Sequence, residues 1–196
     1  MKNLRTYFSI AVCSGVLLLS GCATQAPTLN FVPQDVLPSS SKIDFELKNT
    51  SVSIAQDGER VGATQVGLFG NQYESTFKQA FKDALEEAIS KSAIFNDLST
   101  RKLSLSAKVL QFETPGFSTG FATTMVVRYQ LLDRSNGKLI FTRDITSTGE
   151  VAFDYAFMGA IRYTEARNRA GRDNVNQFIT SLAEFKDPNK WKHHHS

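Results

Sequence analysis

Cysteine is nearly absent: the 196-residue chain holds two, Cys13 and Cys22, both near its start. Everything beyond Cys22 therefore lacks an internal disulfide and any thiolate chemistry, and must be held together by packing. Histidine is as scarce, its three copies confined to His193-His194-His195. With neither residue in the body of the chain, no Ser-His or Cys-His catalytic pair can be assembled. Asp and Glu are scattered on polar faces with no pair assignable to a pocket, so no catalytic residue is expected and the chain reads as a non-enzyme. Three adjacent histidines at a terminus, without carboxylate partners, read as a tail, and neither a metal nor another cofactor is expected. A surplus of one charge is missing too. Lys and Arg number 22 against 19 Asp and Glu, and removal of Lys2 and Arg5 with a leader brings the basic count to twenty. That balance excludes a nucleic-acid binder, which needs a basic excess to neutralise phosphates.

Long apolar runs are absent as well. Ile10 to Leu19 is an apolar stretch of ten residues interrupted by Ser14 and Gly15, about half of the roughly 20 needed to span a bilayer. Preceded by Lys2 and Arg5, it has the length of a signal-peptide core. Leu19-Ser20-Gly21-Cys22 follows. This tetrapeptide resembles the lipobox of bacterial lipoproteins, which implies cleavage between Gly21 and Cys22 and lipidation of the Cys22 sulfur. Ala23 stands where Asp would favour inner-membrane retention, so outer-membrane sorting is expected. Three acyl chains, as on a fully processed lipoprotein, make the tether effectively permanent.

What is present in quantity is ordinary globular composition, 41% hydrophobic and 21% charged, with fifteen Phe. One domain with a real core is expected. The boundaries are a signal peptide at 1–21, a lipidated cysteine and flexible tether at 22–42, an α/β domain at 43–187 and a tail at 188–196. Pro27, Pro33, Pro38 and Ser39-Ser40-Ser41 give the tether its composition, and about twenty stretched residues would reach roughly 65–70 Å. Phe31 and Val32 fit either docking on the domain or a partner, or a loose tether.

Ile43, Phe45, Leu47, Val52 and Ile54 alternate as a half-buried strand, and Asp57-Gly58 ends it. Gly62, Gly67 and Gly70 mark a loop without the Gly-Lys-Ser/Thr that would cradle phosphate. Phe77, Ala80, Phe81, Ala84, Leu85, Ala88 and Ile89 recur at helical steps over 72–92, with Asn71 and Glu74 spaced as a capping box. Three alternating strands follow, the last two joined by Asn136-Gly137, a strong hairpin signal. A second helix is expected over 158–185. Strand–helix–strand implies a right-handed parallel crossover, and the rest a meander. The fold class is therefore α+β: a two-layer sandwich with a mixed four-stranded sheet (β-α-β-β-β-α) and both helices on one face.

Three groups stand out as candidate contacts. Arg162, Arg169 and Arg172 form a stripe on the last helix, with Glu165 in it and Arg167 beside it. They suit phosphate-rich lipid headgroups or an acidic partner, or form a solvated face balanced by Glu165 and Asp173. Phe117 and Phe121, in the connection between two strands, suit a protein-docking loop or fold back on the sheet. Phe153, Tyr155, Phe157 and Met158 raise the same alternative at the turn into the last helix.

With its lipobox, tether and element order, the chain resembles the auxiliary lipoproteins of ABC-type lipid-transport systems and the lipoprotein that plugs the lipopolysaccharide-assembly barrel. The run from Ala166 to Phe178 looks like the C-terminal helix of the former. The resemblance implies a lipid-anchored, periplasm-facing, non-enzymatic accessory protein of an envelope transport or assembly system, with a membrane and an envelope protein as partners. The alternatives are a freestanding lipid or glycolipid binder and, less in keeping with the residues, an acyl- or glycan-modifying enzyme.

Overall fold

The computed structural model describes residues 28–66, 71–115 and 120–185. Its sheet has four strands in the order β1 (Glu46–Ile54), β2 (Lys102–Glu113), β3 (Gly120–Asp133) and β4 (Leu139–Ala152). Strand β1 pairs parallel with β2, and the other pairings are antiparallel. Helix α1 (Asn71–Ser92) makes the crossover between β1 and β2, and α2 (Gly159–Ala183) follows a single 3-10 turn at Phe153–Tyr155. The two helices touch each other and cover one face of the sheet, which is the expected two-layer architecture.

Residue period explains each element. On β2, Leu103, Leu105, Ala107 and Val109 point to the helices and are fully buried. A bulge between Val109 and Gln111 adds one residue to the strand, so Phe112 returns to the helix face. Met125, Val127, Tyr129 and Leu131 supply the same face from β3. Opposite them, Phe77, Phe81, Ala84, Leu85 and Ala88 form the buried stripe of α1, and Val175, Phe178 and Leu182 that of α2. Helix α1 closes on Ala93, whose φ of +46° is a left-handed C-cap geometry usually given to Gly.

The β3–β4 hairpin is confirmed, but its turn differs from the expected two-residue form. Of Asn136 and Gly137, only Gly137 takes positive φ, at +70°. The loop has four residues, closed by the Asp133 N–H donating to Lys138 O at 2.9 Å and the Gly137 N–H donating to Asp133 O at 2.8 Å. The Asp133 carboxylate accepts from the Ser135 N–H at 2.8 Å, which supports the wider turn.

The far side of the sheet is largely polar, and Arg128 and Asp144 form a paired-nitrogen ion pair across β3 and β4 at 2.7 Å. Among the described residues a small apolar cluster of Ala55, Leu110 and Val126 is buried there.

The tether expected at 22–42 is corrected over 28–42. Phe31 is fully buried in the main core, and Leu29, Val32 and Val36 pack against it. The chain then crosses to the far pole, where the Ser39 N–H donates to Ser92 O and Ile43 bridges Phe95. Proline in this stretch blocks helix but not an extended strap, and the strap is part of the domain.

Candidate functional site

The strap is fastened to α2 by Asn168, Gly171 and Arg172, of which Arg172 belongs to the arginine stripe. Asn168 uses both ends of its amide: Oδ1 accepts the Asn30 N–H at 2.8 Å, and Nδ2 donates to Thr28 O at 3.1 Å. One helical turn on, Arg172 Nε donates to Asn30 O at 3.2 Å. Between them lies Gly171, where a Cβ would stand 2.1 Å from Phe31 Cδ1. The missing side chain opens a slot in the helix surface, and the Phe31 ring fills it. That ring then meets Phe77, Phe81 and Phe112 edge-on, with centroids 5.4, 5.7 and 6.1 Å away. Gly171 is thus a docking slot in the surface of α2.

The arginine stripe is drawn into the protein's own ties. Glu165 accepts from Arg169 at 3.0 Å and from Arg172 at 3.2 Å. Arg169 also donates to Glu150 O at 2.8 Å and lies over the Tyr155 ring. Arg162 stands apart from this pair: it donates to Phe153 O, and its guanidinium lies 4.4 Å from the Phe153 ring centroid. Arg169 and Arg172 are therefore brought together by one carboxylate, while Arg162 belongs to the turn before the helix.

Arg167 was placed beside that stripe by sequence, but it is 1% exposed. Its guanidinium packs 4.1 Å from the Phe112 centroid and donates to Tyr163 Oη at 2.6 Å and Gln65 O at 3.4 Å. Its Nε has no hydrogen-bond partner among the described residues. The signal was available in the spacing, because Arg167, Asn174, Phe178 and Leu182 share the 3–4 residue register of the buried face. Asn174 is likewise fully buried and serves β3 and β4. It accepts from Tyr129 Oη at 2.8 Å and donates to Ile145 O and Ser147 Oγ at 3.0 and 2.9 Å. Burial pushes the Tyr129 hydroxyl well above the usual tyrosine range, so it remains a donor.

Of the aromatic candidates, Phe121 is only 8% exposed and packs edge-on against Tyr163, with Val151 and Ala166 around it. It folds back onto the sheet rather than forming a docking loop. Phe117 lies outside the described residues, as do Gly21, Cys22 and the three histidines. Phe153, Tyr155, Phe157 and Met158 behave differently and stand in the open. Shallow grooves among the described residues include one between β1 and the end of α1, lined by Leu47, Glu86, Ile89 and Phe95, and one between the strap and α2, lined by Pro33, Asp35, Arg172 and Asn176. Among the described residues no group of three or more His, Cys, Asp or Glu side chains could hold a metal ion, and no helix is long and apolar enough to cross a membrane.

No protein-family description matches the chain, and no curated protein matches it. Among solved structures it is similar to a protein of the DUF330 family from Xanthomonas campestris, at 18% identity. That likeness covers 81% of this chain and 95% of the other, with a TM-score of 0.49. It is also similar to a minor lipoprotein of Acinetobacter baumannii, at 11% identity over 72% of this chain and 95% of the other, TM-score 0.43. At these levels of likeness, what the chain does has to be read from its own residues.

Proposed function

We propose that this chain is a lipid-anchored, non-enzymatic accessory protein of a cell-envelope transport or assembly system, carried on the outer membrane and facing the periplasm. The observation that supports it most is the short connection between the lipobox and the fold. Cys22 precedes Thr28 by six residues, and Thr28 is already bonded to Asn168. Acylation at Cys22 then keeps α2 within about 20–22 Å of the bilayer surface, rather than letting the domain range over the whole reach of a twenty-residue tether. A module held so close serves a partner in or at the same membrane. Binding of free lipid through Arg162, Arg169 and Arg172 is the weaker reading, because Glu165 already occupies two of the three.

Two measurements test the proposal. Radiolabelled palmitate should enter the wild-type chain and not a Cys22→Ser variant; equal labelling of both removes the anchor. Cross-linking in intact envelopes followed by pull-down should return one defined envelope protein in fixed proportion. Recovery of the lipoprotein alone, or with tightly bound lipid by native mass spectrometry, would transfer support to the lipid-binding alternative.

A further inference from the structure

The turn between β4 and α2 leaves four large apolar side chains in the open. Phe153 is 66% exposed, Tyr155 50%, Phe157 100% and Met158 51%. Single exposed apolar residues need no explanation, but four within six residues form a patch of the kind that meets another apolar phase. The fold fixes where this patch lies. Strands β2 and β4 end, and both helices begin, at one pole of the sandwich, while the α1–β2 connection and the β3–β4 hairpin lie at the other. The strap shows which pole faces the anchor. Thr28 sits at Asn168, Asn30 at Arg172 and Pro33 to Asp35 beside Asn176, so the strap runs toward the C-terminal end of α2. It therefore enters the domain from the pole that carries the exposed turn.

We propose that Phe153, Tyr155, Phe157 and Met158 bed in the surface of the bilayer that holds the acylated Cys22, and so fix that pole of the domain against the membrane. The inference rests on the lipid-anchor reading and adds an orientation to it. Cys22 is within about 20–22 Å of Thr28, so the turn and the acyl chains can occupy the same leaflet. The side chains suit an interface: aromatic rings and a thioether reach below the headgroups, and guanidinium groups remain at phosphate level. Arg162 and Arg169 lie over Phe153 and Tyr155 respectively, and Arg162 has no carboxylate partner among the described residues. Three acyl chains already hold the protein firmly, so the turn is not needed for affinity. What it supplies is a second point of contact, without which a domain on a single leash is free to rotate.

The test uses the full-length lipoprotein purified from envelopes and reconstituted in phosphatidylethanolamine–phosphatidylglycerol vesicles. Cys13 leaves with the leader and the Cys22 sulfur is a thioether, so a cysteine introduced by Phe157→Cys is a unique thiol for an environment-sensitive fluorophore. Leu98→Cys is the matched control, 92% exposed at the opposite pole. A label at 157 should shift to the blue and lose more than about half its emission to lipids carrying shallow spin-label quenchers, as expected for side chains about 5–10 Å deep. The label at 98 should do neither. Flotation with the vesicles but no quenching at 157 overturns the proposal and leaves the anchor standing. A blue shift at 157 that grows with protein density, without quenching, overturns it in favour of a second copy covering the turn. Failure to float removes the anchor reading, and the proposed orientation with it.

Discussion

Replacing Phe31 by alanine should destabilise the whole domain, although residue 31 precedes the first strand. The Phe31 ring is fully buried, occupies the slot at Gly171, and makes edge-on contacts with Phe77, Phe81 and Phe112. Truncating such a ring removes its transfer free energy, leaves a cavity, and costs about 3–5 kcal/mol. For a domain of this size the total stability is about 5–15 kcal/mol, so the loss is about a fifth of it or more. At roughly 2–4 °C per kcal/mol the melting temperature should fall by about 6–20 °C. Thermal unfolding followed by circular dichroism reads this directly, and limited proteolysis should show new cleavage between residues 28 and 42. A melting temperature within about 2 °C of wild type would refute the reasoning, because it would mean that the strap contributes nothing to the fold and behaves as a loose leash.

Gly171→Ala places a methyl where Phe31 stands and should cost about 1–3 kcal/mol by overpacking. In a Phe31→Ala background the same change should cost less by at least about 0.5 kcal/mol, and strict additivity in a double-mutant cycle would contradict the shared slot. Tyr129→Phe leaves Asn174 Oδ1 buried without its donor and should lose about 1–3 kcal/mol in urea unfolding; a neutral result would show that the hydroxyl is dispensable. Asp144→Asn should cost less than about 1 kcal/mol at neutral pH, since the pair with Arg128 is 42–43% exposed. Hydrogen bonding from Arg128 holds the Asp144 carboxyl below its usual value of 3.8. A depressed acid stabilises the fold above its unfolded pKa and loses that contribution as pH falls through the folded one. Wild type and Asp144→Asn should therefore converge in stability at acid pH, and a gap that widens there would refute the assignment.

Much of the architecture was legible because it rests on period alone. Alternation in β2 and β3 and the 3–4 residue steps of α1 are decided by which side meets the core, and Asn136-Gly137 marks the hairpin wherever it folds. The exact turn was not legible, since the carboxylate of Asp133 reaching Ser135 selects a longer loop than the dipeptide alone implies. The strap was misread for a stronger reason. Prolines and serines describe a segment that cannot form a helix, but whether Phe31 is loose or docked depends on a slot at Gly171, 140 residues away. Arg167 was lost in the same way: charge suggested a surface, whereas its helical register placed it among Phe112 and Tyr163. For Phe121 the decisive partner was Tyr163 on another element, and local sequence does not show such covers. Phe153, Tyr155, Phe157 and Met158 meet no aromatic cover of that kind among the described residues and stay exposed.

These features bear on one another through α2. A surface helix of an ordinary two-layer domain needs one apolar stripe against the sheet. This helix has that stripe and, on its flank, Asn168, Gly171 and Arg172 arranged to receive an extended strap. Ordering a strap of fifteen residues costs about 1–2 kcal/mol of backbone entropy per residue, which burial of Phe31 and its neighbours and the bonds to Asn168 and Arg172 offset, although joining a lipid to a domain does not require it. A free tether would join them without that cost. The ordering makes physical sense where position matters: it moves the point of attachment from the start of β1, at one pole, to the first half of α2, near the other. The domain is then held by the end that carries Phe153, Tyr155, Phe157 and Met158, while the polar sheet face and the hairpin pole stay available to a partner. By this logic, releasing the strap should lengthen the leash by about 45–50 Å and abolish the preference for one pole, even in a chain whose acyl anchor is intact.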